Sequence, residues 1–280
     1  MSSVYLNGSV IPASEARISI DDRGFLFADG VYEVVRVYDG RPFRMDAHLD
    51  RMADGLDDLQ IEGVDLDEID AAAEQLLEDN GLDSGPAKIY IQVTRGAAPR
   101  KHAFPDRCEP TLYVAVSRLE PHPDRMFAEG VAAITLGDTR WARCDIKSVA
   151  LLPNVLANQQ AHAAGAFEAL FVRDGVVLEG SHSNLWAVYD GTLVTYPASN
   201  YILAGITRDE VFDMAEELGI TAGEGLILDS LLFDADELFL SGTTTEIMPI
   251  TRVNGTPIAD GRPGEVTRRL QELYRRRTAG

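Results

Sequence analysis

Leu119-Glu120-Pro121-His122-Pro123-Asp124 is the stretch that most limits how this chain folds. Each proline fixes its own φ and lacks a backbone donor, so neither a helix interior nor a central strand runs through the segment. A chain of 280 residues is long enough for two domains of ordinary size. The break therefore predicts an N-terminal α/β domain over 1–120, a linker over 121–125 and a C-terminal β-rich domain over 126–280.

The two halves differ in pattern. In the first, residues 31–38 read as a strand, and Leu49, Met52, Leu56 and Leu59 recur at helical spacing. A second helix is expected over 66–78, with Asp65 and Glu68 spaced as a capping box and Asn80-Gly81 as its stop. Ile89, Ile91 and Val93 alternate as in a strand, and 112–117 form another after the polar loop 96–110. The second half carries Asp174-Gly175 and Asp190-Gly191, hairpin-type turns between apolar runs. Helices are expected there at about 154–164 and 207–218. A last helix, marked by Val266, Leu270 and Leu273, ends in Arg275-Arg276-Arg277, cations suited to its negative end. The fold class expected is α/β, mixed with α+β.

A formal net charge of −20 argues against attraction to DNA, RNA or an anionic membrane face, and leaves small molecules as the expected partners. Cys108 and Cys144 are the only cysteines, too few and too isolated for a disulfide framework or a zinc site. The first residues lack a basic start and an apolar run, and no apolar stretch approaches membrane-spanning length. A cytoplasmic protein is expected.

Lysine is scarce: Lys88, Lys101 and Lys147 are three among 25 basic residues. Lys147 sits in Arg140-Trp141-Ala142-Arg143-Cys144-Asp145-Ile146-Lys147-Ser148 and precedes Val149-Ala150-Leu151-Leu152-Pro153. An amine among apolar residues and cations is held partly neutral, as an amine that attacks an aldehyde must be. In Ile202-Leu203-Ala204-Gly205-Ile206-Thr207-Arg208-Asp209-Glu210, Thr207 is placed to cap a helix and Glu210 to complete the box, a helix start of the kind that binds phosphate. Ser241-Gly242-Thr243-Thr244-Thr245-Glu246 supplies a second hydroxyl-rich turn after a strand. Glu179, in Val177-Leu178-Glu179-Gly180-Ser181-His182-Ser183-Asn184, is positioned to pair with a protonated heterocyclic nitrogen. Taken one at a time, these are equally an ordinary capped helix, a polar connection and a solvated turn glutamate.

Taken together, they resemble the fold-type IV aminotransferases that use pyridoxal phosphate, and most closely the D-amino-acid transaminases. The likeness spans nearly the whole chain. It is carried by Asp22-Arg23-Gly24-Phe25, Phe27-Ala28-Asp29-Gly30-Val31-Tyr32-Glu33-Val34-Val35, Gln92-Val93-Thr94-Arg95-Gly96, Arg143-Cys144-Asp145-Ile146-Lys147-Ser148, Glu179-Gly180-Ser181 and Gly205-Ile206-Thr207-Arg208-Asp209, in that order.

The resemblance implies two domains with the active site at their interface, the C-terminal one binding the cofactor, a homodimer, and Lys147 bonded covalently to the cofactor aldehyde. It further implies that Glu179 holds the pyridinium proton, that Arg51 and the backbone of Ile206, Thr207 and Thr243 bind phosphate, and that Leu203 props the ring. Tyr32, Arg100 and His102 would trap the substrate α-carboxylate, the loop of Pro99-Arg100-Lys101-His102 reaching across the dimer. The activity implied is ping-pong transfer of an amino group between D-amino acids, such as D-alanine or D-glutamate, and 2-oxo acids. Three departures bear on substrate breadth: Gly242 stands where relatives often carry serine, His182 interrupts a run of small hydroxyl residues, and Phe25 and Phe27 shape a pocket. Rival readings are an L-branched-chain or (R)-amine transaminase and an aminodeoxychorismate-type lyase on the same fold; from a different class, a noncatalytic binding protein for the cofactor. Arg100 and His102 argue against an amine without a carboxylate. Lys147 and Glu179 argue against mere phosphate retention.

Overall fold

An antiparallel sheet with two helices across one face forms the first of two units, Met1–Pro121 together with Ile146–Ala150. The structure is a computed structural model that describes residues 2–279. This unit runs β1 (Ser3–Leu6), β2 (Ser9–Pro12), α1 (Arg23–Phe27), β3 (Gly30–Tyr38), β4 (Arg41–Pro42), α2 (Met45–Leu59), α3 (Leu66–Asp79), β5 (Ala87–Thr94) and β6 (Thr111–Arg118). The strand order is β2-β1-β6-β5-β3-β4.

Period-2 alternation sends Val31, Val35 and Val37 of β3, with Ile89, Ile91 and Val93 of β5, to one buried face. Met52 and Leu56 of α2 and Ile69, Ala73 and Leu76 of α3 close over it. Each large side chain so buried contributes about 1.5–3 kcal/mol. Asp65 caps α3 by accepting from the Asp67 amide at 3.0 Å, but Glu68 does not complete the expected box. Its carboxylate accepts the hydroxyl of Tyr5 on β1 instead, because a buried ring's hydroxyl needs an acceptor.

The second unit, His122–Asp145 with Leu151–Gly280, holds the larger sheet. Its elements are α4 (Asp124–Glu129), β7 (Val131–Gly137), α5 (Leu152–Ala163), β8 (Glu168–Arg173), β9 (Val176–Gly180), β10 (Asn184–Tyr189), β11 (Thr192–Thr195), α6 (Ile206–Glu217), β12 (Ala222–Glu224), β13 (Ile227–Leu228), β14 (Glu237–Gly242), β15 (Glu246–Val253), β16 (Thr256–Pro257) and α7 (Glu265–Ala279). The strand order is β12-β11-β10-β14-β15-β7-β8-β9-β13, with β16 paired to β15. Helix α4 begins at Asp124 with Pro123 at its N-cap, a place proline tolerates because no helical donor is needed there. Asp174 and Gly175 (φ 52° and 78°) join β8 to β9, and Asp190 and Gly191 (φ 48° and 75°) join β10 to β11. Positive φ at both central residues is the tight hairpin geometry that the Asp-Gly pairs predict.

Candidate active site

Lys147 lies on a short return segment that runs beside β3. The Tyr32 amide donates to the Lys147 carbonyl and the Val149 amide to the Gly30 carbonyl, each at 3.0 Å, while Val31 and Ser148 form an antiparallel bridge. Ile146 anchors the segment in the core of the first unit. The Lys147 ammonium is thereby held 4.4 Å from the centroid of the half-buried Tyr32 ring, a cation–π contact. Tyr32 in turn stacks on Tyr90, with centroids 5.9 Å apart.

One residue along β3, Glu33 points to the opposite, buried face. Arg51 of α2 grips it with Nε on one oxygen at 2.7 Å and Nη2 on the other at 2.8 Å, and His48 Nδ1 lies 2.7 Å away. Burial favours the neutral acid, yet Arg51, the His48 hydrogen bond and the charge of Lys147 outweigh it and take Glu33 down to about 2. Burial also lowers His48, and the Glu33 contact only partly reverses that. The structure thus brings Lys147 to Tyr32, and Arg51 to two residues, Glu33 and His48, that the sequence reading did not assign.

Arg100 and His102 are exposed on the loop between β5 and β6. Both gather at Phe27: the Arg100 guanidinium is 5.1 Å from its centroid and the His102 ring 5.6 Å. Phe27 therefore supports this pair. Phe25 lines a pocket, a cleft of about 340 Å³ with Ile18, Ile20, Gln92 and Tyr113.

In the second unit, Glu179 ends β9 and is buried. One oxygen accepts from Arg140; the other accepts from Asn184 Nδ2 at 3.1 Å and from the Leu203 amide at 3.2 Å. Asn184 also donates to the Leu203 carbonyl at 2.8 Å, which fixes that residue beside the carboxylate. Arg140 is itself divided, since its Nε and Nη2 also serve Asp138 at 3.0 and 3.2 Å. Burial pushes Glu179 up to about 7 against the opposing pull of Arg140 and the Leu203 amide. Burial opposes the charge of Arg140 too, but Glu179 and Asp138 outweigh it, so the guanidinium stays cationic.

Helix α6 begins differently from expectation. Its N-cap is Gly205, no side chain caps it, and Thr207 lies inside the first turn. Glu210 does not complete a box: it accepts from Arg277 of α7 at 2.9 Å, because that buried carboxylate is matched there by a fixed cation. The first-turn amides of Ile206 and Thr207 therefore have no side-chain cap and no helical acceptor. A Cβ at Gly205 would stand 2.2 Å from Asn184 Oδ1, so the helix start packs directly on the residue that serves Glu179. The turn that carries Thr243 joins the same neighbourhood, because β14 pairs with β10 through Ser241 and Asn184.

The model for amino-transferase class IV matches residues 30–253. The chain belongs to the class IV aminotransferases. Within this family it is 39% identical over 275 residues to a D-alanine aminotransferase of Staphylococcus epidermidis, spanning 98% of this chain and 97% of that one. It is 40% identical over 276 residues to a D-alanine aminotransferase of Staphylococcus aureus strain N315, spanning 98% and 97%. Among solved structures, a T.th. branched-chain amino acid aminotransferase with pyridoxamine 5'-phosphate superposes with a TM-score of 0.91 at 28% identity, covering 100% of this chain and 94% of that one.

Class IV aminotransferases depend on pyridoxal phosphate, and the residues of this aminotransferase fit that group. A ring nitrogen that carries a proton suits a buried carboxylate whose one cation is shared. A phosphate suits uncapped helical amides. An aldehyde suits a lysine fixed by its own backbone. At Gly242, an added Cβ would meet Thr245 at 3.4 Å and Ser183 at 3.5 Å, ordinary contacts, so packing does not exclude the serine that this aminotransferase lacks. His182 is half-exposed, with Nδ1 3.2 Å from Glu168, and its backbone amide donates to the same oxygen at 2.7 Å. The signal for Glu33 was present in the sequence as a carboxylate at a core position of an alternating strand. Arg140 had no such signal toward Glu179, which lies 39 residues away in the chain.

Proposed function

We propose that this enzyme transfers an amino group between D-amino acids, D-alanine or D-glutamate in type, and 2-oxo acids. The observation that carries the reading is near-full-length identity to D-alanine aminotransferases, at 39–40%. Bound pyridoxal phosphate withdraws electrons from the substrate Cα and keeps the amino group between two half-reactions. Lys147 would hold the aldehyde through its side-chain amine at rest and, once the substrate amine has displaced it, would carry the proton between Cα and the cofactor C4′. Glu179 keeps the ring nitrogen protonated, and Leu203 props the ring. Arg51, the amides of Ile206 and Thr207, and the backbone of Thr243 bind the phosphate, since a dianion calls for a guanidinium fork and a helix start.

Tyr32, Arg100 and His102 bind the α-carboxylate, whose two oxygens match the planar donors of arginine and fix which face of Cα meets the lysine. Water would hydrolyse the link to the cofactor nitrogen and release the keto acid before the acceptor 2-oxo acid binds in its place, which makes the kinetics ping-pong. The reading includes a homodimer, which exposed apolar residues support: Ile18, Ile20 and Phe25 expose 49%, 79% and 76% of their surfaces, and Leu152, Val155 and Leu156 of α5 expose 68%, 58% and 56%. Among the described residues no helix is long and apolar enough to cross a membrane, and a cytoplasmic location accords with the reading.

A second reading, L-branched-chain transamination, is favoured by the superposition on the branched-chain amino acid aminotransferase, at the lower identity of 28%. Absorbance titration of the holoenzyme with D-alanine, L-alanine, L-leucine and 1-phenylethylamine separates these. The D-amino acid alone should convert the bound cofactor efficiently. Conversion by L-leucine but not D-alanine would replace the first reading with the second.

A further inference from the structure

The loop bearing Arg100 and His102 has no regular secondary structure, yet buried side chains tie it down. Gly96 starts it at φ +94°, where a Cβ would stand 1.9 Å from the Glu109 carbonyl oxygen. The Arg23 amide donates to the Gly96 carbonyl at 2.9 Å, and Asp22 and Ala97 form a bridge. The decisive contacts come from the guanidinium of Arg23, whose residue is 3% exposed. Its Nη1 donates to the Lys101 carbonyl at 2.6 Å and its Nη2 approaches the His102 carbonyl at 3.4 Å. Its Nε donates to Asp29 at 2.7 Å. Its flat face lies 4.8 Å from the centroid of Phe27, the ring that also supports Arg100 and His102.

Asp29 is not an isolated partner. Arg95 donates to both its oxygens, at 2.8 and 3.0 Å, and the same guanidinium reaches the Leu59 and Gln60 carbonyls at the end of α2 at 2.6 and 2.9 Å. Phe104, further along the loop, covers Arg95 at 3.6 Å. A continuous path of charge-assisted bonds thus runs from the helix that carries His48 and Arg51, through Arg95, Asp29 and Arg23, to the successive carbonyls of Lys101 and His102.

We propose that Arg23, held by Asp29, is a positioning residue that sets the placement of Arg100 and His102 and so determines affinity for the substrate carboxylate. This rests on the reading of Arg100 and His102 as the carboxylate trap. Arg23 is buried beneath Phe27 and acts through the loop backbone. Two carbonyls and one carboxylate suit the five-donor fork of arginine; an ammonium serves one or two of them.

The test uses the holoenzyme with D-alanine, following amination of the bound cofactor by absorbance at varied concentration, with acetate as a competing carboxylate. Arg23→Met should raise both the D-alanine half-saturation concentration and the acetate inhibition constant about tenfold, with the limiting rate changed less than about threefold, because displaced binding groups cost affinity before chemistry. Arg23→Lys should fall between. Arg100→Met is the reference for loss of the trap. If Arg100→Met weakens both constants while either Arg23 variant, melting as the parent does, keeps them, the positioning role is wrong and the trap stands. If Arg100→Met itself keeps both constants, the trap reading fails and the positioning role falls with it. Should Arg23→Met not fold, Arg23→Lys decides by the same two constants.

Discussion

Replacing Glu179 with glutamine should change how the stability of the cofactor-free protein responds to pH. The native carboxyl is raised from 4.5 to about 7, chiefly by burial. A carboxyl raised on folding binds more protons in the native than in the unfolded state. It contributes stability that is fully present below 4.5 and is lost as pH rises through about 7. The displacement from 4.5 to about 7 corresponds to on the order of 3 kcal/mol, most of it falling between pH 5 and 8. Glutamine keeps the shape but presents a donor at one end, either to Arg140 or to Asn184 and the Leu203 amide. That mismatch is the same at every pH. Urea unfolding of both proteins at pH 5, 6, 7 and 8, at one protein concentration, therefore isolates the titration: the parent should lose about 2–3 kcal/mol relative to Glu179→Gln across the series. Under the proposed pairing, loading with pyridoxal phosphate should flatten the parent's slope, because the ring nitrogen would then share its proton with the carboxylate. A difference that does not vary with pH would refute both the raised carboxyl and the role assigned to it.

Two further substitutions probe the neighbouring groups. Gly205→Ala places a methyl 2.2 Å from Asn184 Oδ1 and must displace a residue that serves Glu179, at a cost of about 1–3 kcal/mol; thermal melts and release of pyridoxal phosphate on dialysis should both show it, and a variant with the parent's melt and retention would contradict the packing described. Arg51→Met leaves the fully buried Glu33 with only the His48 hydrogen bond and the field of Lys147, which costs about 3–5 kcal/mol at neutral pH. Glu33 lies at about 2 in the parent, so its contribution is present above 4.5 and fades as pH falls toward 2. In the variant, Glu33 should protonate more readily and the penalty should shrink by pH 4. Unfolding at pH 7 and pH 4 checks this, and an equal penalty at both would sink it.

The regular elements were legible because their signals are local. Alternation in Ile89, Ile91 and Val93 and the Asp-Gly pairs of the two hairpins fix β5 and the β8–β11 turns without reference to anything distant. Capping was legible only by half. Asp65 caps α3, but Glu68 answers Tyr5, 63 residues away, and Glu210 answers Arg277, 67 residues away. A carboxylate joins a box only if it stands third in the helix and no buried donor elsewhere competes for it; Glu68 fails the second condition and Glu210, fifth in α6, fails the first. The same limit hid Arg140 and Arg23. Their partners lie 39 residues away at Glu179 and 78 at Lys101, and no spacing along the chain records such a pairing. Glu33 was the exception, a charge on the buried face of β3 that demanded a partner from whatever covers that face.

Glu33 and Glu179 show why the number of cations per carboxylate matters more than burial. Both are buried, and both touch an arginine. Glu33 receives the whole fork of Arg51, a hydrogen bond from His48 and the field of Lys147, and is taken down to about 2. Glu179 has only part of Arg140, whose other donors are taken by Asp138, and rises to about 7. A fully compensated carboxylate has no use for another cation; it serves to hold Arg51 and His48 in place. An undercompensated one gains from any cationic donor that reaches it, and a protonated ring nitrogen is such a donor. The division of Arg140 between two acids thus leaves the charge of Glu179 only partly compensated, which is what the proposed pairing with a cofactor ring nitrogen calls for.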